Sequence, residues 1–127
     1  MRDLNKPGSI GQVMPKTEIS INHIDAPHDP MPLGERGEVW IKGPQVMIGY
    51  LNRPEDNADS LRNGWFRTGD VGYVDNEGHF FLVDRLKDLI LCSGYNVYPR
   101  MVEEAIYLHP SVAEVTVIGI NDEYRGQ

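Results

Sequence analysis

The stretch FRTGD, Phe66 to Asp70, sets an arginine, a hydroxyl, a glycine and a carboxylate side by side. A carboxylate so placed can accept two hydrogen bonds at once, which suits the vicinal diol of a ribose, and Arg67 can balance charge beside it. The same residues also read as a glycine-containing break between strands in which Asp70 caps its own backbone. In VDRLKDLI, Arg85 and Lys87 are two apart, on one face if the chain is extended, with Asp84 and Asp88 beside them. One cation could meet a phosphate there, or the charges could guard an exposed edge strand against aggregation. CSGYN places Ser93 and Gly94 after an apolar run, where a backbone without Cβ admits a thin ligand or simply turns. For Cys92 the spacing predicts packing rather than nucleophilic chemistry, because no histidine or helix start activates it.

Composition narrows the classes. The 127 residues carry a net charge of −7 with no long basic run, which argues against nucleic acid and anionic membranes as partners. The single cysteine permits no internal disulfide, and His23, His28, His79 and His109 lack metal-ligand spacing, so no metal site is expected. The N-terminal MRDLNKPGSI has no apolar core of signal-peptide length, and no run approaches the ~20 apolar residues of a membrane span. A cytoplasmic protein is expected.

The elements that must hold these residues change character along the chain. The first part reads as short strands and turns: TEISINHI with Ile19 and Ile21 on one face, and GEVWIKG with Val39 and Ile41 inward and Glu38, Trp40 and Lys42 outward. GPQVMIGY reads as turn chemistry framing Val46 and Ile48 as core residues. RPEDNADSL predicts a short helix opened by Pro54, and VGYVDNEGHFFLV a hairpin turning at Asp75 to Gly78. Beyond Arg85, DLILCSG is a brief apolar run, Pro99 opens a helix in PRMVEEAIYLH, and SVAEVTVIGI predicts a strand with Val115 and Val117 on one face. One helix and two short strands cannot bury their own apolar faces, so this second part needs more chain or a partner.

Read in order, GEVWIKGPQVMIGYLNRPE, GWFRTGDVGYVDNEGHFFLVDRLKDLILCSGYNVYPRMVEEAI and HPSVAEVTVIGINDEYRGQ resemble the adenylate-forming superfamily of acyl-CoA synthetases, luciferases and peptide-synthetase adenylation domains. KPGSIGQVMPKTEISI is similar to the segment that follows the family's aromatic-glycine-threonine-glutamate motif. The resemblance implies an α+β fold: a β-rich, distorted barrel-like end of the large AMP-binding domain over residues 1–86, then the hinge and part of the small C-terminal domain over residues 87–127. It implies that Asp70 holds the ribose hydroxyls of ATP and Arg85 its ribose and phosphate region. It further implies that Lys87 is the hinge between adenylation and thioester formation, and that Ser93 and Gly94 line the approach of the coenzyme A pantetheine arm.

The reaction so implied converts a carboxylic acid and ATP, with magnesium, into an acyl-adenylate and pyrophosphate, and then passes the acyl group to the thiol of coenzyme A. DRLKDLI and GYNVYPRMVEEAI look more like acyl- and aryl-CoA ligases than peptide-synthetase domains, with a fatty or other simple acid as the substrate. The family's phosphate loop, its magnesium-holding acid and its catalytic lysine have no counterpart in this sequence. The expectation is therefore an internal slice of an acyl-CoA ligase, inactive alone and without catalytic residues of its own. The alternatives are one chain of a split enzyme, with the missing parts in trans, and a non-catalytic assembly module completed by self-association.

Overall fold

The computed structural model describes residues 5–127; the first four residues of the N-terminal stretch lie outside the described residues. The chain divides into two compact units, one ending at Leu82 and the other running from Val83 to Gln127.

In the first unit, strands β1 (Gly11–Gln12), β2 (Glu18–Asn22), β3 (Gly37–Lys42), β4 (Leu61–Arg62), β5 (Trp65–Val74) and β6 (His79–Arg85, which runs on into the second unit) form one sheet. Its order is β1-β6-β5-β3-β2, with β4 paired to the start of β5. The β-rich character expected from the sequence is present, but the sheet is open. Closure requires edge-to-edge hydrogen bonding all the way round, and β1, only two residues long, pairs with β6 while β2 pairs with β3.

The core lies on one face, where Ile21, Val39 and Phe80 are buried and Ile19, Met31, Ile41 and Val74 pack against them. The alternation of Ile19 with Ile21 and of Val39 with Ile41 places these side chains there, as period two dictates. Two glycines set how closely the strands approach. Gly37 and Gly72 are cross-strand partners. A Cβ on Gly72 would stand 2.4 Å from the Phe81 carbonyl oxygen, and one on Gly37 2.3 Å from that of Asn22.

Helix α1 (Pro54–Ser60) opens on its proline, with Glu55 and Asp56 in the first turn where the helix dipole favours acids. The expected hairpin joins β5 to β6. Asp75 Oδ1 accepts the amides of Glu77 and His79, each at 2.9 Å, and Gly78 takes φ +81. The core role expected for the GPQVMIGY pair is not met by Ile48, which is fully exposed, while Val46 is half-buried in a turn.

Lys6 ties the N-terminal segment to this hairpin, reaching Asp75 Oδ2 at 2.5 Å and Glu77 Oε2 at 3.1 Å. The Lys6 ammonium, with help from the two turn amides, holds the Asp75 carboxyl down at about 2 from its ordinary value of 3.8. A depressed carboxyl pKa stabilises the fold above the unfolded value and loses that contribution as pH falls through the folded one. The stability advantage of the wild type over Lys6→Met is therefore expected to be constant from about pH 4 up to the alkaline range where Lys6 itself loses its proton, and to shrink toward pH 2. Urea titrations at stepped pH read this directly, and an advantage that persists at pH 2 would refute it.

The second unit holds a 3₁₀ turn at Leu86–Asp88, a hairpin of β7 (Ile90–Cys92) and β8 (Tyr95–Val97), and helix α2 (Pro99–Tyr107). The amide of Arg100 in the first turn of α2 is accepted by Asp84 Oδ2 at 3.0 Å, which satisfies one of the donors a helix N-terminus leaves open. The strand expected in SVAEVTVIGI does not form. Residues 112–120 keep the alternation, with Val115 and Val117 half-buried, but no strand among the described residues pairs with them. Their anchor is the Val117 amide, which donates to Glu103 Oε1 at 2.8 Å.

Candidate functional site

FRTGD is not a break between strands, as expected, but lies inside the ten-residue β5. Its irregularity is a bulge. Glu38 pairs with Val71 and Trp40 with Arg67, so Val39 alone stands opposite Thr68, Gly69 and Asp70. Three features make the bulge. Gly69 adopts φ +71, which L side chains resist. The Thr68 hydroxyl donates to the Val39 carbonyl at 2.7 Å, and its oxygen accepts the Asp70 amide at 3.0 Å. The hydroxyl of Thr68 thus holds the local turn, a role assigned in sequence to Asp70. Bulges re-aim the side chains that follow them, and Asp70, half-buried, is the residue at the bulge's exit.

Arg67 is committed elsewhere. Its Nε and Nη2 donate to Glu38 Oε2 at 3.2 and 3.0 Å, its Nη1 to Asp59 Oδ1 at 3.2 Å, and its guanidinium lies 5.4 Å from the Trp40 ring centroid. Trp40 Nε1 donates to the same Glu38 oxygen at 3.1 Å. Glu38 is 1% exposed and Trp40 5%, so the outward face expected for them is a second buried layer. Charge balance by Arg67 is therefore spent on Glu38, 29 positions away in the sequence. Periodicity within β3 gave no signal of this.

Asp70 belongs to the first unit, while Arg85, Lys87, Ser93 and Gly94 belong to the second. Arg85 closes β6 in extended conformation, exposed, with its amide donating to Asp84 Oδ1 at 2.8 Å. The shared face expected for Arg85 and Lys87 is replaced by the 3₁₀ turn, which carries Lys87, exposed, around a corner before β7. Ser93 and Gly94 form the two-residue loop between β7 and β8, at φ +51 and φ +82. Two successive positive φ values match the twist of a tight hairpin. The loop is fastened by the Ser93 amide, which donates to the Arg125 carbonyl at 2.7 Å.

Within the second unit an open cleft of about 620 Å³ lies between the Asp84–Ile90 segment, the start of α2 and residues 116–119. Lys87 lines it, with Asp84, Asp88, Arg100 and Glu103; Ser93 and Gly94 do not. No helix of the described residues is long and apolar enough to cross a membrane.

Residues 1–51 match the AMP-binding enzyme family. The chain is 51% identical over 123 residues to a long-chain-fatty-acid–CoA ligase of Bacillus subtilis, covering 97% of this chain and 22% of that enzyme. It is 44% identical over 124 residues to a 2-succinylbenzoate–CoA ligase of Bacillus velezensis, covering 98% and 25%. Among solved structures, the o-succinylbenzoate CoA synthetase of Bacillus subtilis in complex with its acyl-adenylate intermediate superposes with a TM-score of 0.86 at 44% identity, over 95% of this chain and 24% of that one. ATP-bound MatB from Rhodopseudomonas palustris does so with a TM-score of 0.86 at 35% identity, over 94% and 24%. The sheet-rich arrangement with two short helices is thus that of adenylate-forming enzymes. The chain spans between a fifth and a quarter of the length of these relatives.

Proposed function

We propose, from the premise that this chain belongs to the adenylate-forming family, that it is the ribose-binding and hinge segment of a cytoplasmic ATP-dependent acyl-CoA synthetase. The observation that carries this reading is the Thr68–Asp70 bulge, set in a chain 51% identical to a fatty-acid–CoA ligase. A carboxylate at the exit of a hydrogen-bonded bulge is held on rigid backbone, and placing a diol acceptor on such backbone lowers the ordering cost of binding.

In this reading Asp70 accepts the two ribose hydroxyls of ATP, and Arg85 donates to the ribose and phosphate region, where its cation offsets charge that builds as the substrate carboxylate attacks. Lys87 is the hinge. A 3₁₀ turn of three residues between two strands concentrates a backbone change in few dihedrals, which is what a domain rotation needs. Ser93 and Gly94 flank the pantetheine arm of coenzyme A: both are exposed and neither carries bulk. The acid is a fatty or other simple carboxylic acid, in keeping with the acyl-CoA ligases among the relatives.

The phosphate loop, the catalytic lysine and most of the acyl pocket reside in this reading outside the segment, so the 127-residue chain by itself is expected to show no acid-dependent exchange of labelled pyrophosphate into ATP. The positive test is a chimera in which this chain replaces the matched segment of the Bacillus subtilis long-chain-fatty-acid–CoA ligase. The chimera is expected to form acyl-CoA in an ATP- and CoA-dependent manner. A folded chimera without activity, or exchange by the chain alone, would sink the proposal. Ile106, Ile118 and Ile120 are 41%, 73% and 72% exposed, which supports a reading in which further enzyme, in cis or in trans, packs on the second unit.

A further inference from the structure

The β5–β6 hairpin gathers three groups that the reading above leaves without a task. Asp75, Glu77 and His79 each present a ligand-type atom, and the three atoms lie within 4.8 Å of one another. His79 is 5% exposed, and neither of its ring nitrogens has a hydrogen-bond partner. A buried imidazole with both nitrogens unpaired carries a desolvation cost that a native fold rarely leaves unanswered. Its Nδ1 points at the two carboxylates, 3.8 Å from Asp75 Oδ1 and 3.8 Å from Glu77 Oε2.

We propose that this hairpin tip is a binding site for a divalent transition-metal ion of the zinc class, with Asp75, Glu77 and His79 as ligands and Lys6 as a built-in competing cation. One imidazole nitrogen with two carboxylate oxygens suits zinc and its first-row neighbours, whereas magnesium and calcium take oxygen sets. Ligand bonds of about 2.0–2.1 Å in a tetrahedral site put donor atoms roughly 3.3 Å apart, so the 3.8 Å imidazole–carboxylate spacings need to contract by about half an ångström, and any separation near the 4.8 Å limit by about 1.5 Å. The Lys6 ammonium already bridges Asp75 Oδ2 and Glu77 Oε2, the position of a cation facing both acids. Its side chain is 39% exposed and can swing into water. With a neutral imidazole the two acids and Lys6 sum to a charge of −1, and departure of the ammonium leaves −2 for the metal.

The spacing of these residues, at alternate positions 75, 77 and 79, gave no metal signal in the sequence because a turn intervenes. The turn itself brings the three together. Asp75 Oδ1 also accepts the two turn amides, so the hairpin is built by one of the ligands and substitution there would confound folding with binding.

The test is calorimetric titration of the whole chain with zinc chloride in a non-coordinating buffer, with folding of each variant checked by circular dichroism. One equivalent of zinc is expected to bind and to raise the thermal midpoint, reversibly with chelator. Lys6→Met is expected to tighten binding by up to about fivefold, the size of a partly exposed ion-pair effect. His79→Gln and, at the 63% exposed position, Glu77→Gln are each expected to weaken it by roughly 100-fold or more, beyond the cost of losing an outer-shell partner. Glu77→Gln keeps the test decisive if His79→Gln fails to fold. Absence of binding in both the wild type and Lys6→Met would overturn the proposal, as would an equivalent of zinc whose affinity is unchanged in Glu77→Gln.

Discussion

Replacing Arg67 by alanine is expected to destabilise the first unit by about 3–5 kcal/mol, the cost of leaving a buried charge without its partner. The Glu38 side chain is 1% exposed, and its Oε2 accepts from Arg67 Nε, Arg67 Nη2 and Trp40 Nε1. Removing the guanidinium leaves one neutral donor to answer a carboxylate shut away from water. It also strips the cation from the Trp40 face, a smaller loss of about 1 kcal/mol. The salt bridge itself is not the source of the effect, since a buried pair replaced by well-packed apolar residues is often neutral. Hence the double variant Glu38→Leu/Arg67→Met is expected to recover much of what Arg67→Ala loses. Denaturant midpoints of the wild type, the single and the double variant decide the matter. A single variant within about 1 kcal/mol of the wild type would show that Glu38 finds water or another donor, and that the pair is a surface contact in energetic terms.

This pair also shows what the sequence could and could not reveal. Signals that live within a few residues were legible: the Asp75–Gly78 turn, Pro54 and Pro99 at helix starts, and the alternation of Ile19, Ile21, Val39 and Ile41 on the core face. What escaped depends on contacts distant in sequence. Alternation in GEVWIKG identifies one buried face and says nothing of the other, which Arg67 covers with its guanidinium from β5. FRTGD looks like a turn because threonine, glycine and aspartate are turn residues. The ladder to β3 on both sides of the irregularity turns the same chemistry into a bulge inside a strand. SVAEVTVIGI has a strand's alternation but no strand pairs with it among the described residues, and a strand is a property of two segments. Of the candidate site's local geometry, the Ser93–Gly94 turn was legible. The commitment of Arg67 to Glu38, the Leu86–Asp88 turn that carries Lys87 and the closeness of a buried His79 to two acids were not.

In an active chimera carrying this segment, Asp70→Ala is expected to lower kcat/KM for ATP about 100-fold or more, since hydrogen bonds to a charged acceptor are worth about 1.5–3 kcal/mol each and a diol makes two. A loss of that size could also arise from damage to the bulge, whose Asp70 amide is held by Thr68. The substrate separates the two causes. Removing the 2′-hydroxyl of ATP deletes one of the proposed bonds from the other side, so 2′-deoxy-ATP is expected to be a poorer substrate than ATP for the wild-type segment and nearly equal to it for Asp70→Ala. A structural role would reduce both nucleotides by the same factor and leave their ratio unchanged. Thr68→Val supplies the complementary case. It removes the hydroxyl that bonds the Val39 carbonyl and the Asp70 amide while Asp70 keeps its carboxylate. Its expected loss is in the placement of Asp70: a raised KM for ATP with the preference over 2′-deoxy-ATP retained in direction but diminished in size. A preference for the ribose that is intact in Asp70→Ala would remove Asp70 from the nucleotide site, and with it the bulge as the feature that prepares this strand for binding.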